Sequence, residues 1–124
     1  MKPILVVDDE AIVRESIGAW LKDAGYQVET AESGEEALAL IGKQDFGVMI
    51  LDLRLPGITG IGVLKKMKTL KPNMKSIVIT AYPTMLTKDD ANTLGAIDYL
   101  IKPVLPENLE KLIRETLGKL EGGE

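Results

Sequence analysis

The chain has 124 residues, of which 45% are hydrophobic and 27% charged, with a formal net charge of −4 and a pI near 4.9. That length suits one compact domain, and the acidic balance repels phosphate backbones, which argues against direct nucleic-acid binding. Cysteine and histidine are both absent. Disulfides, thiolate chemistry, a Ser-His-Asp triad and imidazole metal ligands are thereby excluded, and any metal must be held by oxygen, as Mg2+ and Ca2+ are.

The chain carries one Trp, three Tyr and one Phe, so its core must be aliphatic. No apolar run approaches the roughly 20 residues needed to span a bilayer. The start does not read as a signal peptide, because acids follow a short apolar run at once. "PILVV" reads as a strand buried on both faces. Val13, Ile17, Trp20, Leu21 and Ala24 then recur at helical spacing, and Gly25 ends that helix. "YQVET" alternates as a short strand. "SGEEALALIG" opens on Ser33 and Glu36, an S-x-x-E capping box, and closes near Gly42.

"FGVMILD" is a second buried strand and "PGITG" a turn. "IGVLKKMKTL" is a basic amphipathic helix weakened by Gly62, its basic run reading as a solvated face. "KSIVIT" is a strand, and "PTMLTKDDANTLG" a helix with a thin apolar face of Met85, Leu86 and Leu94. "AIDYLI" is a short strand stopped by "KP". The last helix has Pro106 in its first turn and a stripe of Leu109, Leu112, Ile113, Thr116 and Leu120. Strands and helices alternate strictly, which predicts an α/β fold: a (βα)5 doubly wound, five-stranded parallel sheet covered on both faces. The expected domain covers residues 1–119, with residues 120–124 as a flexible C-terminal tail.

Sites in such folds lie at the carboxyl ends of the strands. The residues that close the strands are Asp8 and Asp9, Asp52, Thr80 and Lys102. Clustered carboxylates raise one another's pKa, and a divalent cation relieves that repulsion. A hydroxyl and an ammonium are donors for an incoming anion. Metal, lysine, hydroxyl and an available carboxylate together suit phosphoryl transfer, with Asp52 as nucleophile and Asp8 and Asp9 holding Mg2+. Each residue also has a plainer reading. Asp8, Asp9 and Glu10 suit a capping cluster for the first helix. Thr80 suits a strand-end hydroxyl, Lys102 a solvated lysine, and Tyr99 a half-buried strand residue.

The stretches "VVDDE", "ILDLRLPG", "ITAY" and "DYLIKP", in this order, resemble the receiver domain of two-component response regulators, over about residues 3–118. The resemblance implies a flavodoxin-like sheet in strand order 2-1-3-4-5, and that Asp52 is the phosphoacceptor. It implies that Asp9 binds Mg2+ directly, that Asp8 binds it through water, and that the Arg54 backbone carbonyl is a further contact, with Mn2+ as a substitute ion. Thr80 matches the switch hydroxyl, Lys102 the phosphate-binding lysine before a cis peptide bond to Pro103, and Tyr99 the aromatic that swings inward. The output surface is then helix four, strand five and helix five.

The implied partners are a sensor histidine kinase or phosphotransfer protein as phosphohistidine donor, a downstream effector, and a second copy in a phosphorylation-dependent homodimer. The expected location is the cytoplasm, with no membrane contact. The domain is then a switch and not a metabolic enzyme, catalysing only its own phosphorylation and dephosphorylation. Pro83 departs from the family's usual Gly or polar residue and stiffens the loop after Thr80. Thr59 replaces a common Asp at a turn with no chemical role. Arg54 and Tyr82 flank the site and tune dephosphorylation.

Three rivals are weighed against this reading. A haloacid-dehalogenase-type phosphohydrolase needs D-x-D, where this chain has Arg54. A flavodoxin-like nucleotide or flavin binder needs a phosphate-cradling loop, where this chain has "DDEA". A degenerate receiver serving only as a binding module is opposed by the intact Asp8, Asp9, Asp52, Thr80 and Lys102.

Overall fold

The computed structural model describes residues 2–120. Five parallel strands, β1 (Ile4–Val7), β2 (Val28–Ala31), β3 (Val48–Asp52), β4 (Lys75–Thr80) and β5 (Asp98–Ile101), lie in the order β2-β1-β3-β4-β5. The helices are α1 (Ala11–Asp23), α2 (Gly34–Lys43), α3 (Gly60–Leu70), α4 (Met85–Thr93) and α5 (Pro106–Leu120). This is the doubly wound arrangement read from the alternation. Leu120, placed in the expected tail, closes α5, and residues 121–124 lie outside the described residues.

β1, β3 and β4 are buried on both faces, which is why they appear in the sequence as unbroken apolar runs. Their side chains alternate between two cores. Leu5, Val7, Met49, Leu51 and Val78 pack against α2, α3 and α4 through Ile41, Leu64, Met67 and Ala91. Ile4, Val6, Ile50, Ile77 and Ile79 pack against α1 and α5 through Ile17, Leu21, Leu109, Ile113 and Leu117. Sequence order reverses between β1 and β3, because β2 lies on one side of β1 and β3 on the other. A crevice opens at the carboxyl ends of that pair.

Local chemistry sets the ends of the elements. Gly25, at φ +99°, follows α1, with the Gly25 and Tyr26 amides donating to the Lys22 and Leu21 carbonyls. This is a Schellman closure that favours glycine. Ala24, expected on the core face, is instead the exposed C-cap. Ser33 caps α2 by accepting from the Glu36 amide, while Glu36 reaches back one residue further than an ordinary capping box, to the Glu32 amide. Thr59, read as a turn residue without a role, caps α3 by accepting from the Gly62 amide.

Of the thin apolar face expected for α4, only Leu94 packs. Met85 and Leu86 are 81% and 72% exposed, and the helix is seated instead by buried Ala91, with Leu94 packed just after its end. Leu117 adds to the α5 stripe, one position beyond the expected Thr116.

Candidate functional site

Asp8 follows β1 and Asp52 ends β3, so both carboxylates stand at the crevice. Asp52 continues the inward row of Val48 and Ile50, and Asp8 that of Ile4 and Val6. Both are buried, Asp8 completely. Lys102 arrives from beyond β5, where its amide donates to the Thr80 carbonyl and its bond to Pro103 is cis. Its Nζ lies 2.9 Å from each of Asp8 Oδ2, Glu10 Oε1 and Asp52 Oδ2. Residues 94 positions apart in the sequence thus meet around one ammonium.

The backbone fixes these side chains. Asp8 Oδ1 accepts from the Glu10 amide and Asp52 Oδ1 from the Arg54 amide. Arg14, from the second turn of α1, donates to the Asp8 carbonyl and lies 3.9 Å from Glu32. The loop after Asp52 closes back on itself, with the Gly60 amide donating to the Leu53 carbonyl. A Cβ at Gly60 would sit 2.6 Å from Leu53 Cα and 2.7 Å from the Asp52 carbonyl oxygen. Only glycine leaves the loop in place there.

Three carboxylates against one ammonium leave an excess of negative charge. Burial raises the Asp8 carboxyl above its ordinary range and the Asp52 charge adds to this, while the Glu10 amide and Lys102 pull it down. For Lys102, burial acts to lower the pKa. The close contacts with Asp52, Glu10 and Asp8 outweigh it, and the ammonium is held well above its ordinary value.

Asp8 Oδ2 pairs with the ammonium but takes no hydrogen bond of its own. Oxygens of Asp8, Glu10 and Asp52 lie within 4.8 Å of one another. An orphaned buried carboxylate oxygen within an all-oxygen donor set suits a hard divalent cation. Asp9 is exposed and lies outside that close cluster, lining the mouth of a pocket of about 260 Å³ with Glu10, Asp52, Arg54, Ala81, Tyr82 and Lys102. Across that mouth the Arg54 guanidinium stacks on the Tyr82 ring, 4.2 Å from its centroid.

Thr80 is buried at the end of β4, on the row of Ser76 and Val78, and its Oγ1 accepts from the Tyr82 amide. Tyr99, paired with Val78 in the sheet, shares that face. Its hydroxyl is 2.8 Å from Thr87 Oγ1 and accepts from the Thr84 amide at the start of α4.

By sequence, Glu10 suits only a helix cap. Glu10 is the N-cap residue of α1, yet its side chain makes no capping bond and goes to Lys102 instead. The available signal was the third consecutive acid after a buried strand. A larger depression of about 470 Å³, lined by Lys2, Asp45 and Lys71 among others, sits at the opposite end of the strands and holds one ion pair, Lys71 with Asp45.

Residues 4–114 match the family model of the response regulator receiver domain. The chain belongs to that family. Over 86% of its length it is 42% identical to the alginate biosynthesis transcriptional regulatory protein AlgB of Pseudomonas aeruginosa, of which the match covers 24%. The CheY-like receiver domain protein of Methanospirillum hungatei is 35% identical, with a TM-score of 0.95 over 100% of this chain and 99% of that one.

A response regulator of Burkholderia pseudomallei, solved with a phosphorylated aspartic acid, calcium ion and citrate, is 28% identical, with a TM-score of 0.86 over 98% of this chain and 71% of that one. The chain spans about a quarter of the length of the AlgB relative it matches. As a receiver domain it is a signalling domain of two-component systems, working through phosphorylation, in a family whose members act between kinases and effectors. Among the described residues, no helix is long and apolar enough to cross a membrane.

Proposed function

We propose that this receiver, as a unit of residues 1–119, takes a phosphoryl group onto Asp52 from a phosphohistidine on a sensor histidine kinase or phosphotransfer protein. The observation that carries the reading is the placement of Asp52. It is a buried strand-end carboxylate whose Oδ2 is 2.9 Å from the Lys102 ammonium, beside a second buried carboxylate, Asp8, whose Oδ2 has that ion pair and no hydrogen bond. The Burkholderia relative, with its phosphorylated aspartic acid and bound calcium ion, supports it.

Asp8, Asp9, Asp52 and the Arg54 backbone carbonyl would hold Mg2+, or Mn2+ in its place. When bound, the ion offsets the repulsion between the carboxylate and the phosphoryl oxygens. The chain's own groups do the rest. The Asp52 Oδ1–Arg54 amide bond fixes the carboxylate plane, so that one oxygen faces the pocket. That oxygen bonds to phosphorus as the donor's phosphorus–nitrogen bond breaks; the bond's electron pair stays on that ring nitrogen, and a proton taken from solvent on the other ring nitrogen lets the imidazole leave neutral. The Lys102 ammonium then pairs with the phosphoryl oxygens.

Thr80 would exchange the Tyr82 amide for the phosphoryl group and draw in the loop of residues 81–83. Tyr99 would then leave Thr84 and Thr87. The output surface is α4, β5 and α5, where Met85, Leu86, Ile101 and Leu105 are exposed. It serves a downstream effector or a phosphorylation-dependent homodimer in the cytoplasm. Borohydride reduction of the phosphorylated chain converts an aspartyl phosphate to homoserine. Peptide mapping should place homoserine at position 52, and homoserine elsewhere would reject the assignment.

A further inference from the structure

We propose that Glu10 is a positioning residue that takes over the Lys102 ammonium when a divalent cation occupies Asp8 and Asp52; this rests on the reading that the cluster binds Mg2+. The three carboxylate oxygens surround Nζ at one common distance, 2.9 Å. The ammonium therefore stands among the oxygens that a cation would use, and both cannot remain there without strong repulsion.

Burial decides which carboxylates keep the cation and which follows the lysine. The side chains of Asp8 and Asp52 are 0% and 4% exposed, and that of Glu10 is 61% exposed. The two desolvated carboxylates gain most from a divalent charge. The bond that gives way most easily is the one to Asp8, whose Oδ2 pairs with Nζ without a hydrogen bond. Lys102 then moves outward, and Glu10 lies on that side, already bonded to Nζ. Glu10 is free for the task because its carboxylate makes no capping bond to α1. A rim acid that merely adds negative potential would act on the cation directly, with or without the lysine, and that difference can be measured.

The experiment is calorimetric titration of the 124-residue chain with MgCl2, comparing wild type, Glu10→Gln, Glu15→Gln as an exposed α1 control, Lys102→Met, and the Lys102→Met, Glu10→Gln double variant, with circular dichroism to verify folding. Glu10→Gln should weaken Mg2+ binding roughly five-fold, the scale of one charge contact in water, and Glu15→Gln less than about two-fold. With Lys102 replaced by Met, the Glu10→Gln effect should fall below about two-fold. An effect as large or larger in that background means that Glu10 acts on the cation itself and overturns the proposal, as does a Glu10→Gln variant indistinguishable from Glu15→Gln. Wild type that takes up no Mg2+ overturns the metal reading and this inference together.

Discussion

Asp8 is completely buried, and one of its oxygens lacks a hydrogen bond. Its raised pKa, chiefly from burial, means that the folded chain holds the proton more tightly than the unfolded chain does. Stability therefore falls as pH climbs through the ordinary value of 3.8 and on through the higher folded value. In EDTA at pH 7, Asp8→Asn should resist urea better than wild type, and the advantage should shrink at acid pH, where wild type carries the proton; a variant less stable at pH 7 would contradict this. Lys102, whose pKa is also raised, follows the same direction at higher pH. Its stabilising contribution is fully present below 10.5 and is lost as pH rises toward its higher folded value.

Ser76 is a second buried orphan, with no partner for its hydroxyl. Ser76→Ala should be neutral or stabilising by about 1 kcal/mol in equilibrium unfolding, because it removes an uncompensated polar group. Asp8, Asp52, Thr80 and Lys102 were legible as sequence because each interrupts or ends an apolar run. Glu10 was not, since its partner lies 92 positions away and a third acid after a strand suits a helix cap equally well. Arg14 was hidden because its contact is a backbone carbonyl, that of Asp8, which leaves no mark in the pattern of side chains.

Among the elements, α4 is held least firmly. Nine residues long, it buries only Ala91, and its first turn depends on the hydroxyls of Thr84, Thr87 and Tyr99. Thr84→Ala should cost about 1 kcal/mol by loss of the N-cap and should speed amide exchange in α4 before any other helix. Uniform exchange across all five helices would oppose that assignment. By contrast, Ile113→Ala should cost about 2–5 kcal/mol, because α5 is anchored deep in the core with Ile50 and Ile77.

A capping box located α2, and helical spacing located α1, α3 and α5, where the apolar stripe and the packed face coincide. It misplaced the face of α4, where exposed Met85 and Leu86 outweigh small, buried Ala91 in any hydrophobicity pattern. Strand β2 begins later than "YQVET" suggests. It lies at the sheet edge, with Glu29 and Thr30 exposed, so burial does not mark its start.

At the scale of the whole molecule, strict alternation and the right-handed crossover rule limit the sheet to few arrangements, and the resemblance singles out the observed one. That order brings the ends of β1 and β3 together, so the chemistry at the crevice was legible once the strand ends were known. The directions of Glu10, Tyr99 and Thr84 were not, because they depend on side-chain packing between elements. The exposed apolar residues of α4, β5 and the segment after it, Met85, Leu86, Ile101 and Leu105, form the face where a second copy would pair. Light scattering should find a larger species with the phosphoryl mimic beryllofluoride than without it, and an unchanged mass would reject phosphorylation-dependent pairing through this face.

Every proposed step of this receiver depends on Asp52 being the acceptor. The most direct test is intact-mass spectrometry after incubation with acetyl phosphate, with Mg2+ or EDTA, on wild type and Asp52→Asn. The expected result is one phosphoryl adduct on wild type that requires Mg2+ and is absent from Asp52→Asn. An adduct that persists in Asp52→Asn, or none on wild type under conditions where Mg2+ binds, would contradict it.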